Sequence, residues 1–198
     1  KGVVEKTVAV LQYAKDNLID KFLDPCLSIV HTLLYATKLL LNDEGAAEDF
    51  SLLYQHNQGF VDILSSCFLQ LCQNNDVFVA ENSARCVLLI TELYQNSHKV
   101  CVQQSSLQSI TEALLTYTPY QELNISKRCL LNALSIILAN NSREFVYNVG
   151  HDIDLIQAIT NIAENESKSS NPDLEVKSLA LNNLNMINTL RISYENKQ

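Results

Sequence analysis

Apolar residues return at three- and four-residue intervals along almost the whole chain, the spacing of one face of an α-helix. Val4, Val8, Leu11, Leu18 and Phe22 predict a helix over residues 3–22. Asp24-Pro25 closes it and opens the next, with Asp24 as N-cap and Pro25 at the first helical position. Residues 25–41 carry Leu27, Ile29, Val30, Leu33, Leu34, Leu39, Leu40 and Leu41, apolar on nearly every face, as in a helix enclosed by neighbours. Asn42-Asp43-Glu44-Gly45 breaks the pattern, and 42–50 reads as a solvated loop. A short helix through Leu52, Leu53 and Tyr54 follows, then a second break at His56-Asn57-Gln58-Gly59.

Phe60, Ile63, Leu64, Cys67, Phe68 and Leu71 share one stripe and predict a helix over 60–71, ended by Gln73-Asn74-Asn75-Asp76. Residues 77–94 are helical, with a bend expected at Asn82-Ser83, where the serine can cap a fresh start. A short helix at 98–103 comes next. Another is capped by Ser105 or Ser106 and terminated by Thr118-Pro119. A long helix runs from Asn124 to Ala139. Ser142 caps a short one that Gly150 stops. Asp152 caps a helix through Ile153, Ile156, Ile159 and Ile162, and 164–171, the most polar stretch, reads as a surface loop. Pro172-Asp173 starts the last long helix, through Val176, Leu179, Leu184, Ile187 and Leu190, and a polar tail begins at Ser193.

One phrase in this succession occurs twice. Around Asn96-Ser97 and again around Asn141-Ser142, an apolar helix ends at an Asn-Ser turn, a charged pair follows (His98-Lys99; Arg143-Glu144), and an apolar helix restarts. The offset is about 45 residues, within the range of helical solenoid repeats. Each such unit cannot bury its own apolar face and needs its neighbours, so stacking is favoured over a generic bundle. The expected fold class is all-α.

The chain has 198 residues, 47% apolar and 18% charged, with only four Gly and three Pro. That permits a sizeable core and disfavours an all-β fold, which needs frequent turns. No apolar run reaches the length of a membrane span, so no membrane partner is expected. The opening Lys1-Gly2-Val3-Val4-Glu5 has no initiator Met and no signal-peptide pattern, and the chain reads as a domain excised from a longer protein. A net charge of −8 repels a phosphate backbone, which excludes nucleic acid and favours a basic or amphipathic protein segment. Cys26, Cys67, Cys72, Cys86, Cys101 and Cys129 lie in apolar helical stretches without a Cys-x-x-Cys pair. They read as free buried thiols of an intracellular protein, cytoplasmic more than nuclear. Glycosylation triplets at Asn124, Asn140 and Asn165 are expected by chance in so Asn- and Ser-rich a chain.

Ala133-Leu134-Ser135-Ile136-Ile137-Leu138, Asn141-Ser142, Arg143-Glu144-Phe145-Val146 and Val149-Gly150 together resemble the armadillo-repeat family, with HEAT-type repeats the near alternative. Ala180-Leu181-Asn182-Asn183-Leu184 is similar to the long-helix phrase of the next unit. The resemblance implies a right-handed α-solenoid of about three to four repeats. In it 1–198 is a single armadillo-like domain: 1–24 a leading helix, 25–190 the repeats, 191–198 a frayed tail. Long helices of that family line a concave groove, where an Asn clamps a peptide backbone and a Trp one turn earlier stacks on it. The corresponding positions here are Thr37, Thr91, Ile136 and Asn183, preceded by Leu33, Val87, Asn132 and Leu179. Only Asn183 matches, and the chain has no Trp. The backbone-clamping ladder is therefore missing, and a partner would meet an apolar or mixed surface.

Chemistry adds little to this picture. No His-Glu-x-x-His, phosphate-cradling Gly loop, Gly-x-Ser-x-Gly or paired-carboxylate motif occurs, so neither catalysis nor a metal or cofactor is expected. His31 reads as a core residue, and Tyr54, Tyr94, Tyr117, Tyr120 and Tyr147 as residues closing helix ends with their hydroxyls in water. Arg85 and Lys127-Arg128 begin two long helices and read as solvated faces or a small basic patch. The expected function is a non-catalytic scaffold that binds a peptide or helical segment of a partner protein. Its groove would be lined by Val87, Thr91, Arg128, Asn132, Ile136, Leu179 and Asn183. The alternatives are self-association into a homo-oligomer and a regulatory array acting within its own polypeptide.

Overall fold

A computed structural model describes residues 3–17, 19–41, 67–96, 104–117, 123–140 and 143–196. Among them every regular element is helical and no strand occurs, so the fold class is all-α. They divide into two units, Lys1–Ser97 and His98–Gln198. The loop expected at 42–50, the short helices at 52–54 and 98–103, Phe60 to Leu64, Cys101 and the Asn141-Ser142 turn lie outside the described residues.

The first unit contains α1 (Val3–Asp16), a 3₁₀ turn (Asp20–Phe22), α2 (Leu23–Leu41), a helical stretch at 67–71 and α3 (Val77–Asn96). The single helix expected over 3–22 stops early. Asn17 Nδ2 donates to Tyr13 O at 2.8 Å and the Ile19 amide to Ala14 O at 2.8 Å, which ties off the last carbonyls. The chain then tightens into the 3₁₀ turn. α2 consequently starts at Leu23 and takes Asp24 into its first turn, where the carboxylate accepts from Asn82 Nδ2 at 2.9 Å.

No bend interrupts α3. The buried Ser83 hydroxyl donates to Val79 O at 2.6 Å and so is spent inside the helix rather than as a cap. At the start of α3, Asp76 Oδ1 accepts from the Phe78 amide at 2.9 Å. Leu11, Leu23, Leu27, Val30, Phe68, Cys72, Ala80 and Cys86 form the core. Asp24 meets Asn82 near the starts of α2 and α3, and Lys38 meets Glu92 at 2.6 Å near their ends, so the two helices run parallel. α2 is not enclosed as its composition suggested: Ile29, Tyr35 and Leu39 are each about half exposed (48%, 50% and 55%).

The second unit contains α4 (Gln104–Tyr117), α5 (Asn124–Asn140), α6 (Arg143–Val149), α7 (Ile153–Lys168) and α8 (Leu174–Glu195). α8 packs on α5, α6 and α7, and α4 on α5 and α7. Leu107, Leu114, Leu130, Leu134, Ile159, Ile162, Val176 and Ala180 fill the interior. Tyr117 is also fully buried, contrary to the expectation of a hydroxyl in water. Asp152 caps α7 as predicted, accepting from Leu155 N, and Asp173, expected only to open the last helix, is the cap of α8, accepting from Glu175 N and Val176 N.

Two boundaries differ from the sequence reading. α7 continues through the polar 164–168 stretch because Lys168 pairs with Glu164 at 2.8 Å and Glu166 turns inward. α8 runs to Glu195 instead of fraying after Leu190, since Tyr194 packs on Tyr147 with ring centroids 4.6 Å apart. Gly150 ends α6 as expected, but without a left-handed conformation. It is needed for close approach: a Cβ there would lie 3.2 Å from Tyr147 O and 3.5 Å from both Arg191 Cδ and Ile187 Cγ2.

Candidate partner-binding face

The first turns of α5 and α8 are tied together by charge. Asp173 divides its carboxylate between two tasks. Oδ1 caps α8, accepting from Glu175 N and Val176 N at 3.1 Å each, while Oδ2 accepts from Arg128 Nη2 at 2.5 Å and Nε at 3.1 Å. Arg128 Nη1 also reaches Glu175 at 2.9 Å. The bond to Asp173 raises the Arg128 pKa. Burial pushes the Asp173 carboxyl up, but Arg128 and the two backbone N–H donors outweigh it and hold the group below its usual value. Beneath this pair, Lys127 Nζ lies 3.7 Å from Glu166, both side chains being 2% exposed. Glu166 Oε2 accepts from the Asp173 amide at 2.7 Å. Lys127 is buried, and Arg128, though 39% exposed, is already paired, so Lys127-Arg128 is not a free basic patch; it clamps α5 to α8. In the first unit Arg85 is likewise paired, with Glu81 at 2.5 Å.

Halfway along the helices the connection is made by an amide. Asn183 is fully buried, and its Nδ2 donates to Leu131 O on α5 at 2.9 Å and to Leu179 O at 3.0 Å. The Ser135 hydroxyl lies 3.0 Å from Asn183 Oδ1 and 3.0 Å from Leu131 O. The Arg128 clamp and the Asn183 stitch fix α5 and α8 as parallel neighbours.

On one side of this pair the surface stays open. Ile125, Arg128, Asn132, Ser135, Ile136 and Ala139 keep partial or full exposure along α5, as do Glu175, Leu179, Asn182 and Met186 along α8. The spacings of three and four residues place each set on one helix face. At the N-terminal end, Asn124, Arg128, Pro172 and Asp173 border an open cleft of about 380 Å³.

Of the residues expected to line a groove, Arg128, Asn132, Ile136 and Leu179 share this face. Asn183 lies under it, sealed between the helices, and cannot clamp a ligand there. Val87 and Thr91 belong to α3 of the first unit and are buried, the Thr91 hydroxyl donating to Val87 O at 2.8 Å. Ser135, Asn182 and Met186 were missed. Their three- and four-residue spacing from Asn132 and Leu179 was the available signal.

His31 stays half-buried on α2. Burial, then the nearby Arg85 charge, lowers its pKa, and its ring stacks at 6.4 Å on Tyr35. Cys26, Cys67, Cys72, Cys86 and Cys129 are buried and form no disulfide, and burial raises the pKa of Cys26 and Cys67. Among the described residues no three His, Cys, Asp or Glu side chains converge as metal ligands, and no helix is long and apolar enough to cross a membrane. Compared with protein-family models, curated proteins and solved structures, the chain has no match.

Proposed function

We propose that this chain is a non-catalytic protein-interaction module built as an armadillo-like right-handed α-solenoid of three to four repeats. The exposed α5–α8 face would receive a peptide or helical segment of a partner. The observation that carries the reading is the parallel run of the long helices. Parallel neighbours require crossover connections, which α6 and α7 supply between α5 and α8. Like also packs on like, α4 on α7 and α5 on α8, the relation between successive units of a helical array. Such arrays use an open helix face for recognition. Here that face has Ile136, Leu179 and Met186 at its centre, with Glu175 and Asp173 at one end. On a chain of net charge −8, the occupant that fits is an amphipathic segment with apolar anchors and flanking basic residues. The setting is intracellular, cytoplasmic rather than nuclear; the buried thiols, which form no disulfide, support an intracellular setting.

The test is affinity purification of the full-length protein from cells, wild type against Asn132→Glu combined with Leu179→Glu. Asn188→Glu, at an exposed position of α8 off this face, serves as the control. A partner lost only from the double variant supports the face. Equal recovery from all three sinks it. A second reading, self-association, is favoured by the half-exposed Ile29, Tyr35 and Leu39 on α2. Sedimentation equilibrium decides that one, and a monomer at high concentration removes it.

A further inference from the structure

α8 is held from one side. Val176, Ala180, Asn183 and Ile187 are buried, and at about 100° per residue they share one side of the helix, which packs on α5, α6 and α7. On the opposite side Ser178, Leu181, Asn185, Asn188, Ile192 and Glu195 are all exposed, Leu181 by 44% and Ile192 by 53%. Their spacing alternates between three and four residues, the period of a seam shared by two paired helices. Leu179, Asn182 and Met186, which belong to the candidate partner-binding face, lie about a third of a turn away. The outer stripe is therefore a separate surface.

The order of residues along the stripe selects its occupant. Two asparagines stand at the centre, one apolar residue flanks them on each side, and a polar residue follows at each end, so the stripe reads alike in both directions. A second copy of α8, antiparallel about a two-fold axis between positions 185 and 188, sets Asn185 against Asn188, Leu181 against Ile192 and Ser178 against Glu195. Every layer matches in kind. Two side-chain amides can donate to and accept from each other, and the serine hydroxyl can donate to the carboxylate. Each contact occurs twice, as an isologous interface requires.

Other pairings match less well. A shift by one heptad sets Asn185 on Leu181, which leaves an amide against a side chain that cannot bond it. A parallel pair in register sets Glu195 on Glu195 and aligns the two helix dipoles. A foreign helix would have to carry this same order of polar and apolar residues, whereas a second copy carries it by construction. Each chain has a net charge of −8, but the stripe holds one charged residue, Glu195, which faces a serine. Repulsion between the rest of the two molecules is screened beyond about 8 Å at physiological salt.

We propose that the outer stripe of α8 is a weak two-fold interface with a second copy of this chain, the two α8 helices antiparallel and centred between residues 185 and 188. The proposal does not rest on the α5–α8 face, and it places self-association on α8 rather than on the Ile29, Tyr35 and Leu39 side of α2. Two apolar layers on one helix pair put it at the small, transient end of protein interfaces.

Sedimentation of the whole chain over a wide concentration range is the test, with circular dichroism to show that each variant is folded. A reversible monomer–dimer equilibrium is expected, with a Kd of about 10–500 μM that tightens as salt is raised. Leu181→Glu should weaken it about tenfold or more. Ser178→Lys should tighten it severalfold, because the ammonium meets Glu195 of the second copy. In a parallel pair the same change would set cation on cation and weaken it. Ile29→Glu and Leu179→Glu should leave the dimer unchanged, so a failure here is distinct from a failure of the α5–α8 face. A monomer at every concentration, a dimer indifferent to Leu181→Glu, one lost in Ile29→Glu, or one weakened by Ser178→Lys would each overturn the proposal. If Leu181→Glu fails to fold, the sign of the Ser178→Lys effect still decides it.

Discussion

Removing one charge from the Lys127–Glu166 pair is expected to destabilise the second unit far more than removing both. The ammonium and carboxylate are 3.7 Å apart and each side chain is 2% exposed. At an effective dielectric near 20, their attraction is about 4.5 kcal/mol. That attraction offsets the desolvation of two ions, so the pair adds little net stability, but either ion left alone loses its counter-charge and keeps neutral partners, Asn124 Oδ1 for Lys127 and the Asp173 amide for Glu166. Glu166→Gln removes the charge while keeping an oxygen that can still accept from the Asp173 amide, and Lys127→Met keeps the stem volume. Each single change should lower unfolding free energy by about 3–5 kcal/mol. The double variant should lose no more than the worse single one, so the coupling is at least the smaller single loss, about 3 kcal/mol or more. Urea unfolding at neutral pH, followed by circular dichroism, measures all four corners of the cycle, with an unchanged slope showing that the unfolding transition is comparable. Additive losses, or single losses under about 1 kcal/mol, would refute the idea that this buried pair is held together by mutual charge compensation.

Three further outcomes follow from the same geometry. Asn183→Ala should cost about 2–3 kcal/mol in urea unfolding, from the lost bonds to Leu131 O and Ser135 plus a small cavity. It should be non-additive with Ser135→Ala; full additivity contradicts the stitch. The His31 pKa lies below its unfolded value, so below pH 6.5 the unfolded state takes up a proton first. Stability should fall as pH drops from 6.5 through the folded value, and His31→Gln should flatten that part of a stability–pH curve; an unchanged curve counts against it. Gly150→Ala should destabilise by roughly 1–2 kcal/mol in thermal or urea unfolding, because its Cβ meets the Tyr147 backbone oxygen at 3.2 Å. A stabilised variant would show that the glycine matters only through backbone freedom.

The helical periodicity, the Asp152 cap and the start of the last helix at Pro172-Asp173 were legible because their causes are local. Asp152 and Asp173 bond to amides two or three residues away, and apolar spacing is a property of one helix at a time. What the sequence hid depends on partners distant along the chain. Glu166 sits in a run of polar residues and reads as loop until Lys127 turns out to face it. Asn183 occupies a position that, by resemblance, should point outward to a ligand. The Leu131 carbonyl and Ser135 draw it inward instead. Arg128 was readable as a cation but not as one already satisfied, since nothing local marks Asp173 as both cap and counter-ion. For the candidate face, spacing revealed which residues share a side of α5 and α8. Which of those side chains stay open was decided by contacts between the helices.

Asn183 holds α8 to α5 by gripping a main-chain oxygen. The oxygen is present whatever side chain residue 131 carries, so the stitch is blind to sequence at the point it binds. Leucine, isoleucine or methionine at that position would leave the longitudinal alignment of the helices where it is. One amide and one hydroxyl thus set the rail along which the outer residues are spaced. Those outer residues are free to be exchanged for others without the spacing itself being redesigned.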